Sequence, residues 1–140
     1  MKTETRNFLE TLLFCSESDD TPELKGKTVH DFSPAFVAAV DSFIAGFESY
    51  LEKNGFDMER LNDLGRSFGG NVYASLSGHG IGFFDESKTL GDDLNKLVLD
   101  YSGNRYRFEH LDLCEDENGK LDLSYLPEYR DEQRAKMFNV

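Results

Sequence analysis

The chain has 140 residues, which is long enough for a single domain that buries its own hydrophobic core. Its 27 acidic and 15 basic side chains give a formal net charge of −12, and the acidic excess is spread along the whole chain. Phosphate backbones and anionic lipids repel such a chain, so we expect no direct binding to nucleic acid or to membranes.

The two cysteines, Cys15 and Cys114, do not form a Cys-x-x-Cys pair, which fits a reducing compartment. Whether they approach one another stays open at this stage. Glu10 interrupts the first apolar run, which is too short for a signal peptide, and no later run approaches the length of a membrane span. These features predict a cytoplasmic protein.

Two amphipathic helices are predicted in the first part of the chain. Apolar residues recur every three or four positions over residues 3–15 and over residues 35–53. Ser33 followed by Pro34 is typical of a helix start, so the second helix should begin there. The polar residues 16–28 between the two helices predict an exposed connector.

Three further helices are predicted over residues 58–68, 89–101 and 128–138. The first of them should end at the glycine pair Gly69-Gly70. The last is polar and should fray.

The middle of the chain predicts a β-hairpin with His79 at its tip. Apolar and polar residues alternate over residues 71–77, which is typical of a half-buried strand, and residues 81–84 would form the second strand. Glycines on both sides of His79 can adopt the positive φ angles that a tight hairpin needs.

A second hairpin is predicted near the end of the chain. Residues 106–113 alternate as a strand with one slip, and residues 121–125 would return as its partner. Asn118-Gly119 between them is a strong signal for a tight hairpin turn.

These elements predict an α+β fold, with helices packed on a small, mostly antiparallel sheet built from two β-hairpins. The chain would form a single domain over residues 1–140. Residues 1–32 would supply the N-terminal helix and the exposed connector, residues 33–125 the core α+β unit, and residues 126–140 a C-terminal helix and tail.

His79 is the first candidate for chemistry, because an exposed histidine can act near neutral pH. General acid–base catalysis also needs a carboxylate within hydrogen-bond reach. Asp85 and Glu86 lie at the far end of the predicted second strand, which makes a His79–Asp85 pair geometrically awkward. The alternative is a turn histidine that caps backbone groups or packs on Phe83 or Phe84.

No metal or cofactor site is predicted. The three histidines are far apart in sequence and lack zinc-ligand spacing. The acidic run of residues 112–122 departs from the calcium-loop pattern, which would place Cys114 and Tyr125 at its first and last ligand positions. The glycines around His79 precede a predicted strand rather than a helix, which disfavours a phosphate-binding loop.

The centre of the chain reads His-Gly-Ile-Gly-Phe-Phe-Asp over residues 79–85 and Leu-Gly-Asp-Asp-Leu over residues 90–94. These residues resemble a group of small phage and prophage proteins of unknown function, and the likeness spans residues 34–125. Phe84 stands where that group has tryptophan, and Glu86 where it has arginine. The resemblance implies a phage-like accessory protein, a class rich in small acidic inhibitors of host machinery.

The charge, the lack of a catalytic motif and the resemblance predict a non-enzymatic accessory protein, acting in the host cytoplasm if a phage encodes it. It would bind a host or phage protein with a basic surface and inhibit a host defence or nucleic-acid-handling protein, as anti-restriction and anti-CRISPR proteins do, with nucleic-acid mimicry as one route. Two alternatives stay open, a self-associating module such as a homodimer and a small enzyme that uses His79. The candidate contact residues are His79, Phe83, Phe84, Asp85, Glu86, Asp112, Glu115, Asp116 and Glu117.

Overall fold

The computed structural model describes residues 1–65, 67–86 and 88–139. Its helices are α1 (Thr3–Ser16), α2 (Pro34–Lys53), α3 (Phe68–Ser75), α4 (Lys88–Ser102) and α5 (Pro127–Phe138). Strands β1 (Leu113–Glu115) and β2 (Leu121–Leu123) form an antiparallel two-stranded sheet. Short 3₁₀ turns cover Pro22–Leu24, Val29–Asp31, Met58–Leu64 and Phe83–Asp85. The predicted α+β class is confirmed.

The helices with the clearest three-to-four spacing form where the sequence predicts them. The hydroxyl of Ser33 accepts a hydrogen bond from the Phe36 N–H at 3.1 Å, so Ser33 is the N-cap of α2. Along α2 the apolar stripe is fully buried, with Phe43 and Phe47 at 0% exposure. Helices α1, α4 and α5 likewise cover the predicted ranges to within a few residues.

The predicted strand over residues 71–77 is wrong, because most of that segment belongs to helix α3. The alternation would expose Tyr73 and Ser77, yet both are buried, as are Val72 and Leu76 on the other side. In a short segment that is buried on nearly all sides, the spacing of apolar residues does not distinguish a strand from a helix. Gly69 and its neighbour, predicted to end the preceding helix, instead form the first turn of α3.

The predicted strands over residues 81–84 and 106–113 are also wrong. Residues 83–85 form a 3₁₀ turn, and only Leu113 of the second segment lies in a strand. The Phe108 N–H donates to the Leu76 carbonyl at 2.8 Å, so residues 106–112 turn back onto the end of α3 rather than pairing along a sheet. The predicted helix over residues 58–68 is a 3₁₀ segment that ends at Leu64.

The sheet therefore contains one hairpin instead of two. Leu113 pairs with Leu123 and Glu115 with Leu121, and the predicted Asn118-Gly119 turn joins the strands. The Asp116 carboxylate accepts N–H groups from Asn118 and Lys120 at 2.8 and 2.9 Å, which fixes the turn.

One aromatic core joins all five helices to the sheet. The ring centroids of Phe8, Phe43 and Phe138 each lie 5.4 Å from the ring centroid of Phe108. The ring centroids of Phe43 and Phe138 lie 6.1 Å apart. The connector predicted to be exposed inserts Leu24 into this core, and the terminal helix predicted to fray buries Phe138 completely. Within the described residues, no helix combines the length and apolar composition needed to cross a membrane.

Candidate functional site

The segment around His79 is a tight connection between α3 and α4. The Gly82 N–H donates to the Asp85 carboxylate at 3.1 Å, and the Phe83 N–H donates to the Ser75 hydroxyl at 2.9 Å. Gly82 has φ +152°, a conformation that residues with a Cβ rarely adopt. Asp85 is thus engaged by the turn, and Phe83 is fully buried in the core.

The segment is held to the helices on both of its sides. A Cβ on Gly91 would overlap the Phe83 carbonyl oxygen, so the start of α4 can approach the turn only with glycine there. Glu86 accepts hydrogen bonds from the Asn71 amide at 2.8 Å and from the Ser67 hydroxyl at 3.3 Å. The His-Gly-x-Gly-Phe-Phe-Asp pattern therefore has a structural explanation in which His79 takes no part.

His79 itself is exposed, and the two carboxylates considered with it accept hydrogen bonds from other groups. Asp85 is engaged by Gly82, and none of the ion pairs among the residues that the structure describes involves His79. The His79 ring centroid lies 6.4 Å from that of Tyr73. The structure thus places His79 beside an aromatic residue of α3.

Next to His79 is a groove of about 210 Å³, which we call the Tyr73 groove. Five segments meet there: the end of α1, the connector, α3, the His79 turn and residues 109–113. Its wall includes the carboxylates of Glu109 and Asp112, the imidazole of His79 and the thiol of Cys15. The phenol of Tyr73 and the apolar side chain of Leu24 complete this set. The groove brings together two sequence-predicted candidates, His79 and Asp112, from positions 33 residues apart.

The thiol and the phenol of the groove are both neutral at physiological pH. Burial raises the pKa of Tyr73 well above its ordinary value, and the neighbouring Cys15 adds to that increase. Burial also raises the pKa of the Cys15 thiol. Because the thiolate is the nucleophilic form of cysteine, the raised pKa leaves only a small fraction of Cys15 in that form near neutral pH.

We expect Cys15 to react slowly with iodoacetamide at pH 7.5, several-fold more slowly than free cysteine. The reason is the raised pKa of its half-buried thiol, which leaves little thiolate at that pH. A Cys114→Ser variant leaves Cys15 as the single thiol, and alkylation followed by mass spectrometry gives its rate. A rate equal to that of free cysteine would contradict the protected thiol.

The acidic residues of the hairpin are largely engaged by partners within the chain. Glu115 pairs with Lys27 at 3.1 Å, Glu117 pairs with Arg130 at 3.0 Å, and Asp116 fixes the turn. Of the four hairpin acids predicted as contacts, Asp112 is the one that faces the Tyr73 groove. Among the described residues, no group of three or more His, Cys, Asp or Glu side chains is placed to hold a metal ion.

Sequence reasoning missed two features of the site. The alternating pattern predicts Tyr73 on the exposed face of a strand, whereas it is 2% exposed and forms part of the groove wall. The sequence predicts Glu109 within a strand and indicates no site there. A signal was present in neither case, because both roles depend on how residues 106–112 fold back onto α3.

The predicted contact residues lie in three places: the core and outer surface of the 83–86 turn, the Tyr73 groove, and the hairpin tip. Phe84 is 47% exposed, while its neighbour Phe83 is buried. Only the groove joins candidates from distant parts of the sequence. In comparisons with family models, curated proteins and solved structures, nothing matches this chain.

Proposed function

We propose that the chain is a non-enzymatic, phage-type binding protein that inhibits a host defence or nucleic-acid-handling protein. Its acidic surface would occupy a basic surface of that partner. Nucleic-acid mimicry is one form of this mechanism, in which carboxylates take the places of phosphates in a binding groove.

The observation that carries this proposal is the unequal burial of the charged side chains. Asp122 is the one buried residue among the 27 acidic side chains, all of which lie within the described residues. Arg130 and Arg134, by contrast, are both buried. The charge presented to solvent is therefore even more negative than the formal charge of −12 suggests.

A surface of this kind favours a basic partner for two reasons. It accelerates encounter with an oppositely charged protein, and it disfavours acidic partners through like-charge repulsion.

The test is an affinity pull-down from bacterial lysate at two salt concentrations, with mass spectrometry on the retained proteins. The Debye length is about 10 Å at 0.1 M salt and about 3 Å at 1 M, so attraction between the two surfaces is strongly screened at the higher value. We expect one stoichiometric nucleic-acid-handling protein at the lower salt and its loss at the higher salt. An unrelated bait of the same net charge controls for simple ion exchange.

The retained protein is then purified and its activity on nucleic acid is measured with and without the chain. Inhibition that weakens as salt rises supports the proposal. A bait that retains nothing at either salt contradicts it, and an affinity that does not change with salt removes the mimicry form.

A further inference from the structure

We propose that the Tyr73 groove receives an arginine side chain of the partner protein. This inference rests on the proposed function and makes it specific, because it names the group of the partner that is recognised. The argument uses the Tyr73 hydroxyl, the carboxylates of the rim, and the size and rigidity of the groove.

The Tyr73 hydroxyl is a polar group without a partner at the wall of the groove. Tyr73 is 2% exposed, and no hydrogen bond within the described residues involves its hydroxyl. Among those residues, no fully buried side-chain oxygen or nitrogen lacks a hydrogen-bond partner. The hydroxyl therefore keeps a small opening to solvent, and the cavity next to it is the Tyr73 groove. A hydroxyl that reaches solvent only through this opening takes its hydrogen-bond partner, a water molecule or a ligand group, from the groove.

The carboxylates at the rim give the groove its preference for a cation. The Glu109 carboxyl carbon lies 3.6 Å from the point where a Cβ on Gly78 would stand, so this carboxylate rests against the His79 turn. Among the described residues, the ion pair of Glu109 is with the exposed imidazole of His110 at 3.9 Å. Asp112 lines the same groove and takes part in no ion pair among the described residues. The connector, which supplies Thr21 and Leu24 to the groove, carries four acidic residues against the two lysines Lys25 and Lys27.

The size of the groove suits one side chain. Its volume of about 210 Å³ is below the range of about 300–1,000 Å³ that holds small-molecule ligands. A guanidinium group fits the chemistry better than an ammonium group. It is planar, stacks on exposed rings such as that of His79, and offers five donors to the carboxylates and the hydroxyl.

The groove is held in place before any ligand arrives. The Phe108 N–H donates to the Leu76 carbonyl at 2.8 Å, which fixes the segment that carries Glu109. The Ser124 N–H donates to the Asp112 carbonyl at 3.0 Å, and the Thr21 hydroxyl donates to the Ser16 carbonyl at 3.1 Å. Such preorganisation lowers the entropic cost of binding a side chain.

The probe is the blocked tripeptide acetyl-Gly-Arg-Gly-amide, titrated into the ¹⁵N-labelled full chain at low salt. We expect a dissociation constant on the order of millimolar, because a ligand of this size makes few contacts. Amide shifts should concentrate at Cys15, His79 and Leu113. The matching citrulline peptide, which has the same shape without charge, should leave these amides unshifted.

Three variants locate the contact. Tyr73→Phe should weaken binding about tenfold, the effect expected for loss of one hydrogen bond to a charged group. Glu109→Gln should weaken it several-fold, since it removes one carboxylate of the rim. Glu52→Gln removes a charge from an exposed position on α2 outside the groove and should change the affinity less than twofold.

Several outcomes would overturn the inference. They are equal binding of the citrulline peptide or of acetyl-Gly-Lys-Gly-amide, an unchanged affinity in Tyr73→Phe, or shifts that map to another face. Failure of the inference is distinguishable from failure of the proposed function. If the lysate partner is captured but Tyr73→Phe and Glu109→Gln hold it as tightly as the parent chain, the inference fails and the function stands. If the arginine peptide binds in the groove but no partner is captured, the function fails and the groove assignment stands.

Discussion

Replacing Asp122 with alanine should lower the free energy of unfolding by about 3–5 kcal/mol, the cost of removing one member of a buried ion pair. Asp122 is 2% exposed and lies on strand β2. Its two carboxylate oxygens accept hydrogen bonds from the Arg134 guanidinium at 2.8 and 3.2 Å. Without this carboxylate, Arg134 would keep its charge in the interior with the exposed Asp131 carboxylate as its remaining partner.

The same carboxylate joins three elements. It accepts a hydrogen bond from the Ser33 hydroxyl at 2.6 Å, and Ser33 is the N-cap of α2. Through Arg134 it also holds α5 against the sheet. Loss of Asp122 therefore weakens the start of α2 and the docking of α5 together, which is why we expect an effect near the upper end of the range.

Urea unfolding followed by circular dichroism measures the change, and Asp131→Ala is the matched control. Asp131 contacts the same guanidinium at 2.7 Å, but its side chain is 94% exposed. An exposed ion pair contributes little, so this variant should lose no more than about 1 kcal/mol. Equal losses in the two variants would show that burial does not decide the strength of this interaction.

Gly69→Ala should lower the free energy of unfolding by about 3 kcal/mol, because added volume in a tight contact forces the backbone to move. A Cβ at this position would overlap the carbonyl oxygen of Glu4 on α1. The obstacle is backbone, so no side-chain rotation can relieve the clash. Helix α1 would have to shift away from α3, and the contacts of Phe8 with the core would loosen with it.

Gly26→Ala is the control for the cost of losing a glycine where there is space. Gly26 has φ +76° and nothing within 4 Å of the added methyl group, so only the backbone penalty of about 1 kcal/mol applies. Both variants are compared by urea unfolding with the parent chain. If Gly69→Ala cost no more than Gly26→Ala, α1 and α3 would not be in the close contact described above.

The packing of α1 on α3 also bears on the Tyr73 groove. Helix α1 contributes Cys15 to its wall, and α3 contributes Tyr73. The paired glycines at the start of α3 allow the two helices to approach, so they set the width of the groove without lining it. A shift of α1 in the Gly69→Ala variant would therefore change the width of the groove as well as the packing of the core.

Local periodicity explains which elements could be predicted. Helix α2 repeats its apolar residues every three or four positions over five turns, and Ser33 and Pro34 mark its start. The Asn118-Gly119 turn defines the hairpin because few other residues adopt its backbone angles. In these segments the chemistry of neighbouring residues decides the structure, and distant contacts only add stability.

Helix α3 could not be predicted from the sequence, because distant contacts rather than neighbouring residues decide its structure. Its two glycines and β-branched Val72 are weak helix formers, and most of its residues are buried. The helix forms because α1 lies against its glycines and because residues 106–112 cover its other side. Neither partner is near α3 in the sequence, so no local pattern of residues predicts the helix.

The amino-acid sequence by itself determined the acidic charge, the α+β class, the long helices and the hairpin turn, since each of these depends on composition or on residues within a few positions of one another. Tertiary structure alone decided that Asp122 is buried against Arg134 and that Tyr73 opens onto a groove beside His79 and Glu109. The physical reason is that burial depends on which distant segments cover a residue. The residues next to Tyr73 in the sequence would be the same whether its hydroxyl faced bulk water or the Tyr73 groove.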